Sequence, residues 1–446
     1  MITKLYSHQE MGAKYLRDRK GGYLFWKMRT GKTLAALHGI LDTPTLILTK
    51  GSIMETFRKA LVYDMGIRET DIVVCHGKFT WKKRKQLLTK FPIVICNYEA
   101  AITLRVMTAQ PWAAIVFDES YALANYKSAK VTRYIERSIK KQPREQKRAA
   151  LSGTPASENP IQYASQFFIV DGYFMGYTNI HDYYHDNWML DKNKKQVPIN
   201  KKHLKELHEY IHQEATFLSL EELNLGSPIL YNKRFVQLNM AQLGCIEWAQ
   251  GRKAELNRLF HGMSDRSVGN MVYAVYENMI AAGIDPATHE VISTEKVQDV
   301  VNCYLDNREP ILVLSHYVDI LPVAEELFHK AGIRAAYFDG KTSKIAVEEV
   351  RALFQEGKLD AVIAQSKVAG EGLDFSRANT TYYLNNSFGL NTREQTIMRT
   401  TNINKTTPVE IIDICTMDTL DVAVVEKLQK KEKISESFLM KQGRIK

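Results

Sequence analysis

Cysteine is scarce in this chain: Cys75, Cys96, Cys245, Cys303 and Cys415 are the only five in 446 residues, an odd number with no Cys-x-x-Cys pair. Neither a disulfide framework nor a thiolate zinc site follows, and all five are expected to be small core residues. Long apolar runs are missing as well, since none approaches the ~18 residues needed to span a bilayer. The opening Met-Ile-Thr-Lys-Leu-Tyr-Ser-His-Gln-Glu has no apolar centre of the kind an export signal needs. No membrane association and a cytoplasmic setting are therefore expected. There is no low-complexity tract, and no repeat of roughly 20–50 residues marks a solenoid.

What remains is an ordinary globular balance, 45% hydrophobic and 25% charged, with length enough for two or three domains with cores of their own. Sixty Lys+Arg against fifty Asp+Glu give a formal charge of +10, which favours a polyanionic partner such as nucleic acid. The excess gathers at Lys82, Lys83, Arg84 and Lys85, at Lys192, Lys194, Lys195, Lys201 and Lys202, and at Lys427, Lys430, Lys431 and Lys433. A run of this kind is by itself more often a solvated face than a binding site.

Short β-rich runs alternate with helix-like stretches at 23–26, 45–49, 71–75, 93–97, 114–117 and 149–152, and again at 311–315, 335–338, 361–364, 381–384 and 411–414. Near-continuous apolar strands with helical crossovers predict parallel sheets covered on both faces. The expected fold is α/β, with two parallel-sheet lobes. Residues 1–160 form the first and residues 291–446 the second, which ends in a basic helix and tail. Residues 161–290, rich in aromatics, read as a helical insertion and connector.

Met28-Arg29-Thr30-Gly31-Lys32-Thr33 follows an apolar strand and opens a helix. That placement lets backbone N–H groups and the positive end of a helix converge on a phosphate. Lys32 is placed to reach the β- and γ-phosphates of a nucleotide, and Thr33 to ligate Mg²⁺. Trp26 stands where the first glycine of a full phosphate-loop string belongs. Downstream, Ala-Ile-Val-Phe-Asp118-Glu119 is a buried-type strand ending in two carboxylates, at the sheet edge where open α/β folds bind ligands. Asp118 is the candidate to hold Mg²⁺ through water, and Glu119 to orient an attacking water.

In this order the motifs resemble superfamily-2 helicases, and within them the Swi/Snf-type DNA translocases, most closely the compact helicases of tailed bacteriophages. The resemblance implies two RecA-like lobes that bind and hydrolyse ATP·Mg²⁺ and step along duplex, forked or branched DNA with weak sequence preference. Tyr6-Ser7-His8-Gln9 resembles the adenine-reading Q motif. Arg29, Thr30, Gly31, Lys32 and Thr33 fall on motif I, Leu46 to Lys50 on motif Ia, Ile95 to Glu99 on motif Ib, Asp118 to Tyr121 with Asn125 on motif II, and Leu151 to Pro155 on motif III. In the second lobe Ile311 to Tyr317 resembles motif IV, Phe338 to Thr342 the turn after it, and Ser366 to Asp374 motif V. Gln395 and Arg399 have the spacing of motif VI. The resemblance implies nucleotide contacts from Gln9, Gly372 and Arg399, with Arg399 as the γ-phosphate finger, and nucleic-acid contacts from Lys50, Tyr98, Glu99, His316 and Gly340. A monomer is expected. The alternative within the same resemblance is a DNA-stimulated ATPase that displaces bound proteins without separating strands.

Three positions depart from the family pattern: Arg29 replaces a glycine, Tyr121 the motif II histidine, and Asn402 the second motif VI arginine. An amide carries no guanidinium charge, so either Arg399 suffices, Arg393 helps, or turnover is slow. A competing string, His208-Glu209-Tyr210-Ile211-His212, fits the zinc-protease pattern but has no evident third ligand.

Overall fold

A computed structural model describes residues 3–75, 88–124, 130–143, 145–156, 159–190, 196–219, 222–223, 226–259, 266–370, 373–387, 390–401 and 405–429, with the backbone alone at 201, 250–259, 266–273 and 390–391. Asn125, Glu371, Gly372, Asn402 and the lysine-rich positions 82–85, 192–195 and 430–433 lie outside the described residues. The chain forms two compact units, the first over Met1–Asn224 and the second over Leu225–Lys433.

The first unit is built on a seven-stranded sheet of β1 (Gly21–Trp26), β2 (Thr45–Thr49), β3 (Ile72–Cys75), β4 (Ile93–Asn97), β5 (Ala114–Asp118), β6 (Lys147–Leu151) and β9 (Thr216–Leu218), in the order β3-β4-β2-β5-β6-β1-β9. All neighbours are parallel. The apolar strand runs arise because the sheet is covered twice, with side chains alternating between two cores. Tyr23, Phe25, Leu46, Leu48, Val94, Cys96, Ile115 and Phe117 face one core, which is filled by Phe167, Phe174, Tyr183, Leu207 and Ile211. Leu24, Trp26, Ile47, Ile95 and Val116 face the other, against helices α1 (Ser7–Arg17) and α2 (Lys32–Ile40). A short antiparallel pair, β7 (Trp188–Leu190) with β8 (Gln196–Pro198), lies apart from this sheet.

The second unit holds six parallel strands: β10 (Ile229–Val236), β11 (Ile311–Ser315), β12 (Ala335–Phe338), β13 (Ala361–Gln365), β14 (Thr380–Tyr383) and β15 (Val409–Thr416), ordered β10-β15-β14-β11-β13-β12. Val313 and Ile363 face one core with Val300, Leu321 and Phe328. Leu312, Leu314 and Val362 face the other with Phe354 and Phe375.

The α/β class and both parallel sheets match expectation. The stretch 161–290, expected as a separate helical insertion and connector, is instead shared between the units. Its first part covers one face of the first sheet and supplies β9 to it. The later part supplies β10, which pairs with β15 along its whole length. Neither strand has an apolar run to mark it: β9 has three residues, and β10 carries Asn232, Lys233 and Arg234 within a half-exposed edge.

Candidate functional site

Parallel strands bring the ends of β1, β2, β4, β5 and β6 to one edge of the first sheet. The loop after β1 turns through two left-handed residues, Arg29 at φ 64° and Gly31 at φ 78°, before α2 begins at Lys32. A Cβ on residue 31 would lie 1.8 Å from Gln9 Nε2, so the turn requires glycine twice over. The loop is gripped from α1: His8 Nε2 lies 2.8 Å from the Thr30 carbonyl, and Gln9 Nε2 donates to the Gly31 carbonyl at 3.5 Å. Gln9 Oε1 accepts from the Tyr6 N–H at 2.9 Å and so closes the start of α1. The Thr30 hydroxyl donates to the Lys27 carbonyl at 2.8 Å, which tightens the same turn. Trp26, at the first-glycine position, is buried in the strand, where Gly12 of α1 packs against its ring and its Nε1 donates to Thr216 Oγ1 at 3.0 Å. Its side chain serves the core, and the loop is shaped by residues 29–31.

Lys32, Asp118 and Glu119 are 8%, 3% and 6% exposed, a cation and two carboxylates removed from water at one sheet edge. Thr49, at the end of β2, donates its hydroxyl to Asp118 Oδ2 at 2.6 Å. Burial, with the adjacent Glu119 charge, pushes the Asp118 carboxyl up to about 6, while Lys32 and the Thr49 hydroxyl pull it down. A carboxylate in that state lacks compensating positive charge. The oxygen donors at hand, the Asp118 carboxylate and the Thr33 hydroxyl at the start of α2, are the hard ligands Mg²⁺ takes, so the residues present fit that ion.

Ser152 and Thr154 of the turn after β6 are buried. The Ser152 N–H donates to the Leu24 carbonyl at 3.3 Å, and the Thr154 N–H donates to Ser152 Oγ at 3.1 Å. The turn after β6 is thereby tied to β1, which leads into the left-handed loop before α2.

The expected nucleic-acid contacts divide. Lys50, Glu99, His316 and Gly340 are exposed, with the His316 N–H held by Asn385 Oδ1 at 2.6 Å and the Gly340 N–H by Gln365 Oε1 at 3.0 Å. Tyr98 does not join them. It is 3% exposed, and its hydroxyl donates to the Asp118 carbonyl at 2.7 Å. A phenol folded into the core has no face for a nucleic acid, so its place is structural support behind the paired acids.

In the second unit Arg399 donates through Nη2 to the Gly370 carbonyl at 2.6 Å, joining motifs V and VI, and a Cβ on residue 370 would stand 3.4 Å from the Gln395 Cβ. Arg393 is not available as a helper to Arg399. Its guanidinium forks onto Asp413 at 2.7 and 2.8 Å, meets Asn386 Oδ1 at 2.8 Å, and lies over the Tyr383 ring at 4.8 Å. With Arg393 and Asp413 only 2% and 1% exposed, the pair is an internal anchor of the helix Leu390–Ile397.

The zinc-protease string has no ligand set. The His208 and His212 rings lie tilted by 41° with centroids 4.2 Å apart, and among the described residues no group of three His, Cys, Asp or Glu could hold a metal ion. Four cysteines are buried as expected, whereas Cys245 is half-buried beside Asp285.

Both units are parallel α/β folds of RecA-like type, and the first carries the left-handed loop and the paired acids. Residues 295–404 match the helicase conserved C-terminal domain family. Across 98% of its length the chain is 21% identical to an uncharacterized ATP-dependent helicase of Mycoplasma pneumoniae, covering 42% of that protein. Across 99% it is 21% identical to ATP-dependent DNA helicase DDM1 of Arabidopsis thaliana, covering 63%. The chain thus spans about half the length of the curated relatives it matches. Its fold resembles the Hef helicase domain of Pyrococcus furiosus, with a TM-score of 0.58 at 12% identity, covering 96% of this chain and 100% of that one.

Proposed function

We propose that the chain is an ATP-hydrolysing motor on DNA, a superfamily-2 helicase or translocase of the Swi/Snf type. The observation that carries this reading is the buried set of Lys32, Asp118 and Glu119 at the sheet edge beside a left-handed phosphate loop held by His8 and Gln9. Lys32 grips the β- and γ-phosphates, Glu119 orients the attacking water, and Arg399 is the second unit's contribution to hydrolysis. Bound Mg²⁺, held by Thr33 and Asp118, would neutralise charge on the phosphates. Lys50 meets the phosphate backbone, and Glu99, His316 and Gly340 are the other proposed nucleic-acid contacts. Such contacts are blind to sequence, so binding falls steeply with salt. Duplex, forked or branched DNA is the proposed substrate, in phage replication, recombination or repair within a bacterial cytoplasm.

The test measures phosphate release with single-stranded, duplex, forked and four-way DNA and with RNA, alongside strand separation on the same panel. Lys32→Ala and Glu119→Gln are expected to abolish hydrolysis while leaving the thermal transition and most DNA binding in place. Undiminished release in both variants defeats the assignment. Hydrolysis stimulated by DNA without strand separation favours a motor that displaces bound proteins.

A further inference from the structure

Glu119 stands at φ 48°, a left-handed backbone that a carboxylate residue keeps only when its surroundings hold it there. Both of its chain neighbours are gripped by buried side chains from outside the paired-acid motif.

On the upstream side the Tyr98 hydroxyl donates to the Asp118 carbonyl at 2.7 Å. On the downstream side the Ser120 hydroxyl donates to Gln166 Oε1 at 2.7 Å. Gln166 Nε2 in turn donates to the carbonyls of Pro155 at 2.7 Å and Gln162 at 3.0 Å. Gln166 is fully buried in the helix Gln162–Val170, whose positions 163–170 are all buried and mostly apolar. A carboxamide in such a place destabilises the fold unless its donors and acceptor are used, and here both ends are used. Ser165, beside it, donates to the Leu123 carbonyl at 2.7 Å, fixing the far end of the turn that follows Glu119. The turn is thereby joined to the helix after β4 on one side and to the Ser152–Pro155 turn after β6 on the other.

We infer that Tyr98 and Gln166 are positioning residues for Glu119, clamping the Asp118–Ser120 backbone in the one conformation that sets the Glu119 carboxylate. The inference rests on the hydrolytic reading above. Neither side chain is assigned a contact with nucleotide, so each acts through Glu119.

The experiment compares Tyr98→Phe, Gln166→Met and Ser120→Ala in the full chain, measuring kcat and KM for ATP with DNA present, nucleotide affinity, and the thermal transition. Ser138→Ala is the control, because it deletes a buried hydroxyl bonded at 2.8 Å to the Tyr134 carbonyl, remote in sequence from the clamp. A small misplacement of a catalytic group costs rate without costing affinity, so kcat should fall about ten- to a hundredfold in Tyr98→Phe and Gln166→Met. KM and nucleotide affinity should stay within about twofold. Ser120→Ala removes only the bond to Gln166, whereas Gln166→Met also removes those to the Pro155 and Gln162 carbonyls, so Ser120→Ala should lose less rate and the two combined should be no worse than Gln166→Met alone. The inference is overturned if both variants keep kcat within about twofold of wild type, or if Ser138→Ala loses rate equally at equal thermal shift. A wild-type chain that releases no phosphate under any condition overturns the hydrolytic reading itself, and this inference with it.

Discussion

Replacing Arg393 by Met should destabilise the second unit severely, and replacing Asp413 as well should largely restore it. The side chains of Arg393 and Asp413 are 2% and 1% exposed. Removing the guanidinium takes both prongs of the fork from the carboxylate and leaves, among the described residues, Asn386 Nδ2, 2.8 Å from Asp413 Oδ1, to answer a buried negative charge. Breaking one partner of such a pair typically costs about 3–5 kcal/mol, whereas exchanging both for apolar groups of similar volume is close to neutral. At roughly 2–4 °C per kcal/mol for a unit of this size, Arg393→Met should lower its melting temperature by about 10 °C. Arg393→Met with Asp413→Leu should recover most of that loss. Differential scanning calorimetry separates the transitions of the two units if they melt independently, and urea titration followed by circular dichroism gives the free energies. If Arg393→Met shifts stability by under about 1 kcal/mol while abolishing ATP hydrolysis, the anchor assignment is wrong and Arg393 belongs to the catalytic machinery.

Three further outcomes follow from the first unit. Arg29→Gly relieves a left-handed arginine at φ 64° and should raise stability by about 1 kcal/mol, measured by urea denaturation, while loss of the cation raises KM for ATP; a change in neither refutes both parts. Gly31→Ala forces a Cβ to within 1.8 Å of Gln9 Nε2, so the thermal transition should fall and nucleotide affinity with it, and a variant that binds ATP as tightly as wild type contradicts the described turn. Asp171, bonded by the Tyr23 hydroxyl at 2.6 Å, is pushed up by burial to about 6, with Glu214 raising it further and Arg148 and Arg19 opposing. Because the folded protein holds this proton more tightly than the unfolded chain, stability falls as pH rises from the usual 3.8 to about 6, a span worth at most about 3 kcal/mol. Asp171→Asn should flatten that slope and raise stability at pH 8, checked by melting curves between pH 4 and 8; an unchanged slope sinks the assignment.

What could be read from the sequence was whatever local chemistry announces. The apolar runs that became β2, β4 and β5 are unbroken because both faces of the sheet are covered, and the Gly31-Lys32-Thr33 turn and the Asp118-Glu119 pair stand where such strands end. What could not be read depends on partners distant in the chain. Tyr98 sits in a stretch that resembles a nucleic-acid motif, yet its hydroxyl meets a carbonyl twenty residues on. Arg393 looks like any basic residue near motif VI until Asp413, on β15, is brought against it. Gln166 did leave a trace, as a lone amide in Tyr-Ala-Ser-Gln-Phe-Phe-Ile-Val, and Thr49 another, as a hydroxyl closing an apolar strand. His8 gave no such sign, since its value lies in reaching the Thr30 carbonyl.

The late strand β9 has a bearing on how the chain is born. It aligns beside β1, with Thr216 opposite Leu24, Phe217 opposite Phe25 and Leu218 opposite Trp26, although nearly two hundred residues of synthesis separate them. Until that segment leaves the ribosome, β1 has an open hydrogen-bonding border and the Trp26 indole lacks its Thr216 acceptor. A nascent chain stalled near residue 160 would therefore carry every motif of its first lobe yet keep an adhesive flank, ready to recruit a stranger's backbone.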